Sequence, residues 1–323
     1  VIMYYHDGSR FYVTLLDKNN KLLANQNLII RLNGVDNKRT TNENGTTSIA
    51  VNLNSNVYEV FVKYEGDEKY LSSNLTRNIT VKSTIISSDV VKYFRNDTQF
   101  YVTVLDFKGN KVANTVVEMN INGVFYKRTT NSEGVARLNI NLEPNVYIIT
   151  VTNPVTGEMA SNNITVLSRL VDNHDLVKYY KNASKYTVRV LDEKGNPLIG
   201  VYVKFNINGV FYERITNSDG VAGLNINLGP NTYIITAQYG ESKVSNKIKV
   251  LTVIETEDVV MKYRDGTKFK ALILDGVGNP NPGVEVTFNI NGVLYNRISN
   301  STGVVNLNIN LQAGKYIITT MYN

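Results

Sequence analysis

The sequence predicts an all-β chain of four tandem β-sandwich domains, and three observations carry that expectation. The phrase NGV recurs at Asn33, Asn122, Asn208 and Asn291, in steps of 89, 86 and 83 residues. A second marker, the tyrosine of VYEV or YIIT, recurs at Tyr58, Tyr147, Tyr233 and Tyr316 with the same steps. Two markers moving in register establish an internal repeat, of small-domain length rather than solenoid length. Third, no stretch shows a helical period, and short alternating runs lie between turn residues about every 8–12 residues, the pattern of a sandwich. The repeats fall at 1–84, 85–169, 170–253 and 254–323, and the fourth lacks the segment that closes the others.

Repeat 2 shows how each element is read. DVVKYF opens it as a strand. Phe100, Val102 and Val104 share one face of the next strand, with Tyr101 and Thr103 on the other, because side chains alternate. DFKGN (Asp106 to Asn110) is a turn. EMNINGVFYKRTT reads as a hairpin around Asn122-Gly123, since both central positions of a type I′ turn favour left-handed backbone angles. NSEG turns again, VARLNINL places Leu138, Ile140 and Leu142 inward, and YIITV and SNNITVL complete about seven strands. The linkers VKSTIISS, LSRLVDNH and LTVIETE are short and poor in Gly and Pro, which predicts a semi-stiff string of domains.

The totals exclude several function classes. The 323 residues hold no cysteine, so disulfides, thiolate metal sites and cysteine nucleophiles are absent together. The net charge of +6 is spread without a basic cluster, which argues against nucleic acid. No run reaches about 18 apolar residues, so no transmembrane segment is expected. His6 and His174 occupy non-aligned positions without a carboxylate cluster, which predicts no metal, no cofactor and no enzyme. The Asp-Gly turns lack the spacing of a calcium loop.

The set DEKGNPLIGVYVKFNINGVFYERITNSDGVAGLNINLGPNTYIITA (192–237) resembles the Ig-like repeats of surface adhesin-like proteins of methanogenic archaea, the Methanobrevibacter type. More distantly it is similar to bacterial Ig-like and collagen-adhesin B-type stalk domains. The resemblance covers all four repeats and implies an extracellular, cell-surface array of Ig-like sandwiches.

One position departs from the apolar pattern. Lys178 aligns with Met3, Lys92 and Met261, whereas the next position holds Tyr4, Tyr93, Tyr179 and Lys262. The position that accepts Met is the inward one, so Lys92 and Lys178 are expected to point into a core, where an ammonium is costly unless paired or deprotonated. The closing strands offer Asn162 and Asn246 in the two lysine-bearing repeats, and Arg77 in repeat 1. First and last strands of such a sandwich can lie side by side, so Lys92–Asn162 and Lys178–Asn246 are candidate intramolecular isopeptide bonds. Asp106 and Asp192 are the candidate assisting acids; Asp89 and Asp175 fall on the opposite face by parity. Collagen-adhesin-type domains use this Lys–acid–Asn logic. The alternative is a lysine that snorkels to water, with Asp106 and Asp192 capping their turns.

Seven glycosylation sequons lie at Asn44, Asn74, Asn78, Asn96, Asn163, Asn182 and Asn300. Tyr4, Tyr93 and Tyr179 are expected to face outward, either to stack on sugar rings or to fill space near domain junctions. Together these readings predict a monomeric, rod-like stalk of a surface adhesin, with a glycan- or host-binding module acting through loops or tyrosines as the alternative.

Overall fold

A computed structural model describes residues 1–322, and among them strands and turns occur without a helix. The chain divides into two compact units, Val1–Leu167 and Ser168–Asn323. Each unit holds two separate apolar cores. In the first they are built around Ile30, Val60 and Ile79 and around Phe100, Met119 and Ile149. In the second they are built around Phe205, Ile235 and Ile248 and around Phe288, Ile273 and Leu307.

In repeat 2 a three-stranded sheet has the order Val135–Asn139, Gln99–Val104, Ile85–Ser87. A five-stranded sheet faces it, in the order Val124–Thr129, Val116–Ile121, Asn145–Thr152, Met159–Leu167, Val90–Tyr93. Alternation fills the space between them: Phe100, Val102 and Val104 from one sheet meet Val117, Met119, Ile149 and Val151 from the other, all buried. This is a tandem Ig-like β-sandwich. The Asn-Gly hairpins form as expected, with φ of 51° at Asn122 and 79° at Gly123 and similar values in the other repeats. The recurrent tyrosine has a physical reason. The hydroxyls of Tyr58, Tyr147, Tyr233 and Tyr316 each donate to the carbonyl four residues upstream, at 2.8 to 2.9 Å, and so fix the corner that enters the strand.

Two expectations are corrected. The segment assigned to the linker contains a strand: Ile85–Ser87 pairs antiparallel with Gln99–Val104, and Leu170–Val171 and Ile254–Thr256 do the same in repeats 3 and 4. The chain then crosses to the other sheet, where Val90–Tyr93 pairs parallel with the closing strand. Repeats 2 and 3 therefore have eight strands, and the true linkers are two residues, such as Ser83-Thr84. Each linker carries the same clasp. The hydroxyl of Ser83 accepts from the N–H of Ile85 at 3.0 Å and donates to its carbonyl at 2.8 Å. Ser168 does this with Leu170, and Thr252 with Ile254. Repeat 4 differs: among the described residues Ile318–Met321 pairs only with Glu285–Ile290, and Val260, in the segment that would cross sheets, is 98% exposed.

Candidate functional site

The sheet-crossing segment positions every residue singled out in the sequence. Val90–Tyr93 runs parallel to the closing strand, with Lys92 opposite Val166; Lys178 sits opposite Val250 in the same way. Both lysines point inward and are 3% and 4% exposed, as the Met-for-Lys exchange predicts. Burial lowers both amines from the ordinary lysine value, desolvation being the main cause.

The lysines do not meet the asparagines. The Lys92 ammonium donates to three backbone carbonyls, those of Asn96 at 2.7 Å, Thr98 at 2.9 Å and Ile140 at 2.9 Å. Lys178 repeats this with Asn182, Ser184 at 3.3 Å and Ile226 at 2.9 Å. All three donors of each ammonium are engaged. Asn162 lies four residues before Val166, a separation of about 13 Å along the strand at a rise of about 3.3 Å per residue. Its carbonyl oxygen accepts from Ser87 at 2.5 Å and its amide donates to Asp89 at 3.2 Å. Asn246 accepts from the Tyr186 hydroxyl at 2.7 Å and leans toward Asp175 at 3.5 Å. The pairs Lys92–Asn162 and Lys178–Asn246 are thus apart at opposite ends of one strand pair, and this geometry does not support a bond between them.

The acids are corrected in the same way. Asp106 sits in its own turn, taking the N–H groups of Lys108 and Asn110 at 2.8 Å, and Asp192 takes those of Lys194 and Asn196. Bonds from Asn110 and Asn196 hold both carboxyls below the usual carboxylate range, so neither is a protonated acid near neutral pH. The carboxylates that do meet the asparagines are Asp89 and Asp175, set aside on parity. Asp89 accepts the backbone N–H of Asn163 at 2.9 Å together with both neighbouring amides, which depresses its pKa.

A second arrangement joins neighbouring repeats within each unit. Tyr4 lies against Gly109 in the DFKGN turn of repeat 2, where an added Cβ would stand 2.2 Å from the Tyr4 ring. Tyr179 lies against Gly278 in the DGVGN turn of repeat 4, where it would stand 2.5 Å away. Asn182, whose carbonyl caps Lys178, also sends its amide to the carbonyl of Gly276 at 2.6 Å. The lysine therefore braces the turn that makes the joint. Between repeats 1 and 2 a buried carboxylate adds to this. Glu158, 5% exposed, accepts the N–H and hydroxyl of the linker residue Thr84, both at 2.6 Å, and the hydroxyl of Ser55 from repeat 1. Nothing in the sequence pattern marked Glu158, because its hairpin loop is unlike that of the other repeats. Tyr4 and Tyr179, expected to face outward, are half-buried at these joints; Tyr93 is also half-buried, and Phe94 beside it is buried.

His174 is exposed, and His6 stacks on Tyr5 with ring centroids 4.0 Å apart. Among the sequons, Asn44, Asn74, Asn78, Asn163 and Asn300 are exposed and Asn96 and Asn182 half-buried.

No protein-family model and no curated protein sequence matches the chain. Solved structures with which it shares likeness include an Antarctic bacterium's Ca2+-stabilized, ice-binding adhesin, at 14% identity over 99% of this chain and 94% of that one, with a TM-score of 0.22. The I9–I11 tandem of titin matches at 13% identity over 78% and 95%, with a TM-score of 0.26. A Bacteroides ovatus glucan-locus protein, SGBP-B, solved with a mixed-linkage heptasaccharide, matches at 12% identity over 99% and 95%, with a TM-score of 0.22. Likeness of this degree assigns neither ligand nor activity, and the resemblance to archaeal surface proteins finds no counterpart in it.

Three outcomes are expected. Intact-protein mass spectrometry will give the mass of the unmodified chain; loss of ammonia with Lys92 joined to Asn162 would overturn the assignment of the lysines as carbonyl clamps. Lys178→Met will lower the stability of repeat 3 by about 2 kcal/mol in chemical denaturation, the cost of leaving buried carbonyls without donors. Tyr186 is pushed up from 10.0 to about 12, first by burial and then by the charge of Asp175. A phenol whose folded pKa is raised contributes stability that is complete below pH 10 and lost as pH rises toward 12. Tyr186→Phe will therefore flatten the alkaline loss of stability, measured as the denaturation midpoint across that window.

Proposed function

We propose that this chain is a load-bearing spacer of an adhesin-like surface protein, working outside the cell as a monomer. The observation that carries the reading is the parallel pairing of the sheet-crossing segment with the closing strand in repeats 1, 2 and 3. One member of this pair lies near the start of each of these repeats, just after the short first strand in repeats 2 and 3, and the chain leaves along the other member in the same direction. Tension between the two ends then loads all the pair's hydrogen bonds at once, in shear. A hairpin pulled from its open end would instead lose its bonds one at a time.

The joints support the same reading. Within each unit, a two-residue linker with a hydroxyl clasp and a tyrosine seated on a glycine turn leave the two repeats little freedom to swing. In an exported chain the exposed Asn44, Asn74, Asn78 and Asn300 would carry glycans. Asn182 and Asn163 are poorer acceptors, because their amides are committed to Gly276 and Asp89.

Force spectroscopy on the full chain, held at its two ends, tests the proposal. Three unfolding events at high force and one at markedly lower force are expected, because repeat 4 lacks the parallel pair among its described residues. Four events of equal force, or four weak ones, would remove the mechanical argument.

A further inference from the structure

Repeat 1 departs from the other repeats in ways a spacer does not require. Its hairpin between Asn56–Tyr64 and Ser73–Lys82 carries an eight-residue loop, against two residues between Asn231–Tyr239 and Ser242–Leu251 in repeat 3. The loop is firmly built. Asp67 accepts the N–H groups of Lys69 and Tyr70, both at 2.8 Å, and its own N–H donates to the Tyr70 carbonyl at 2.9 Å. Tyr70 packs against the core. Gly66 has φ of 86°, and a Cβ there would stand 2.7 Å from the Tyr70 carbonyl oxygen and 2.9 Å from the Ser72 nitrogen, both backbone atoms that cannot give way. An ordered long loop is disproportionately a place of function.

This loop walls a cleft of about 630 Å³, within the usual size of a ligand site. Its other walls include the amides Asn25, Gln26 and Asn27 and the cations Lys38 and Arg39. Gln26 is oriented, accepting from the buried Tyr64 hydroxyl at 2.7 Å and donating to the Ala24 carbonyl at 3.4 Å.

The charges here are unequal in their engagement. The acids are already satisfied: Asp67 by its loop, and Glu65 by Lys63 at 3.0 Å. Among the described residues the cations Lys38 and Arg39 have no acidic partner, and Arg39 donates to the carbonyl of Lys38 at 2.9 Å. The other repeats supply the comparison. The position facing Lys127 in repeat 2 is Glu118, which pairs with it at 4.0 Å; in repeat 3 Lys204 faces Glu213; in repeat 4 Thr287 bonds Asn296. In repeat 1 the residue facing Lys38 is Ile29. At this cleft, then, Lys38 has no cross-strand counter-charge.

We propose that this cleft of repeat 1 binds an anionic oligosaccharide. Two free cations fit a carboxylate or sulfate, and the amide wall offers both donors and acceptors to sugar hydroxyls. The lining is too polar for apolar peptide side chains. Binding here is independent of the spacer role, since the cleft lies away from the parallel strand pair.

Calorimetry on the full chain tests this with three probes: a short oligogalacturonate, a heparin-derived oligosaccharide and a neutral galacto-oligosaccharide. Binding of an anionic probe and not the neutral one is expected; oligogalacturonate binding shows that carboxylates suffice, and binding of the heparin-derived probe alone shows that sulfate is required. Lys38→Gln, an exposed substitution, is expected to weaken binding about tenfold, the loss of one charge-assisted hydrogen bond. Lys127→Gln in repeat 2 serves as the control and leaves binding unchanged. No binding by either anionic probe, equal binding of the neutral one, or equal loss in the two variants would overturn the proposal.

Discussion

The crossing of the opening strand from one sheet to the other is the constraint on which the other features depend. Its first half, Ile85–Ser87 in repeat 2, closes the edge of the three-stranded sheet, and its second half, Val90–Tyr93, closes the edge of the five-stranded sheet. Because the first half begins two residues after the preceding repeat ends, the linker has almost no slack. Because the second half alternates faces, Lys92 enters the core while the next residue in the pattern faces the pole, where Tyr4 and Tyr179 rest on the following repeat. The parallel strand pair and the geometry of the joints thus both follow from one segment changing sheets.

Much of this was legible in the sequence, for reasons that are local. Alternation identified Phe100, Val102 and Val104 as core, and Asn122-Gly123 specified its turn, because each depends only on side-chain period or backbone angle. The exchange of Met for Lys identified an inward lysine for the same reason. Parity gives the face of a strand, however, and not the position along it. It left Lys92 and Asn162 on plausible faces while register held them four residues apart. Ile85–Ser87 escaped notice because three residues are too few to show a period. Glu158 and the cleft of repeat 1 depend on a hairpin loop reaching elements far away in the chain, and no window of sequence contains such information.

The coincidence of lysine with asparagine in repeats 2 and 3 has a structural cause. Asn162 and Asp89 tie the start of the sheet-crossing segment to the closing strand, and Asp89 also takes the Asn163 N–H. Lys92 ties the end of the same segment to the turn beyond it and to the carbonyl of Ile140. The two residues serve one strand from its two ends. Asn246 with Asp175, and Lys178 with its three carbonyls, do the same in repeat 3.

Why lysine stands there at all is answered by the turn that follows it. Repeats 1 and 4, which carry Met, have Asp-Gly in this turn. Asp7 accepts the N–H groups of Tyr4 and Ser9, and Asp265 those of Lys262 and Thr267, all at 2.8 to 2.9 Å. Repeats 2 and 3, which carry Lys, have Asn96 and Asn182 at the same place, and each asparagine side chain is seen capping one N–H, that of Thr98 or Ser184. One version closes the turn through its donors with a carboxylate, and a methionine fills the space beneath. The other closes it through its acceptors with an ammonium. A buried charge has no general advantage in stability over an apolar residue of similar size. What the ammonium adds is a requirement that three carbonyls from two loops converge on one point, which methionine cannot impose. In repeat 3 one of those carbonyls belongs to Asn182, whose amide holds repeat 4, so the requirement is passed directly to the joint.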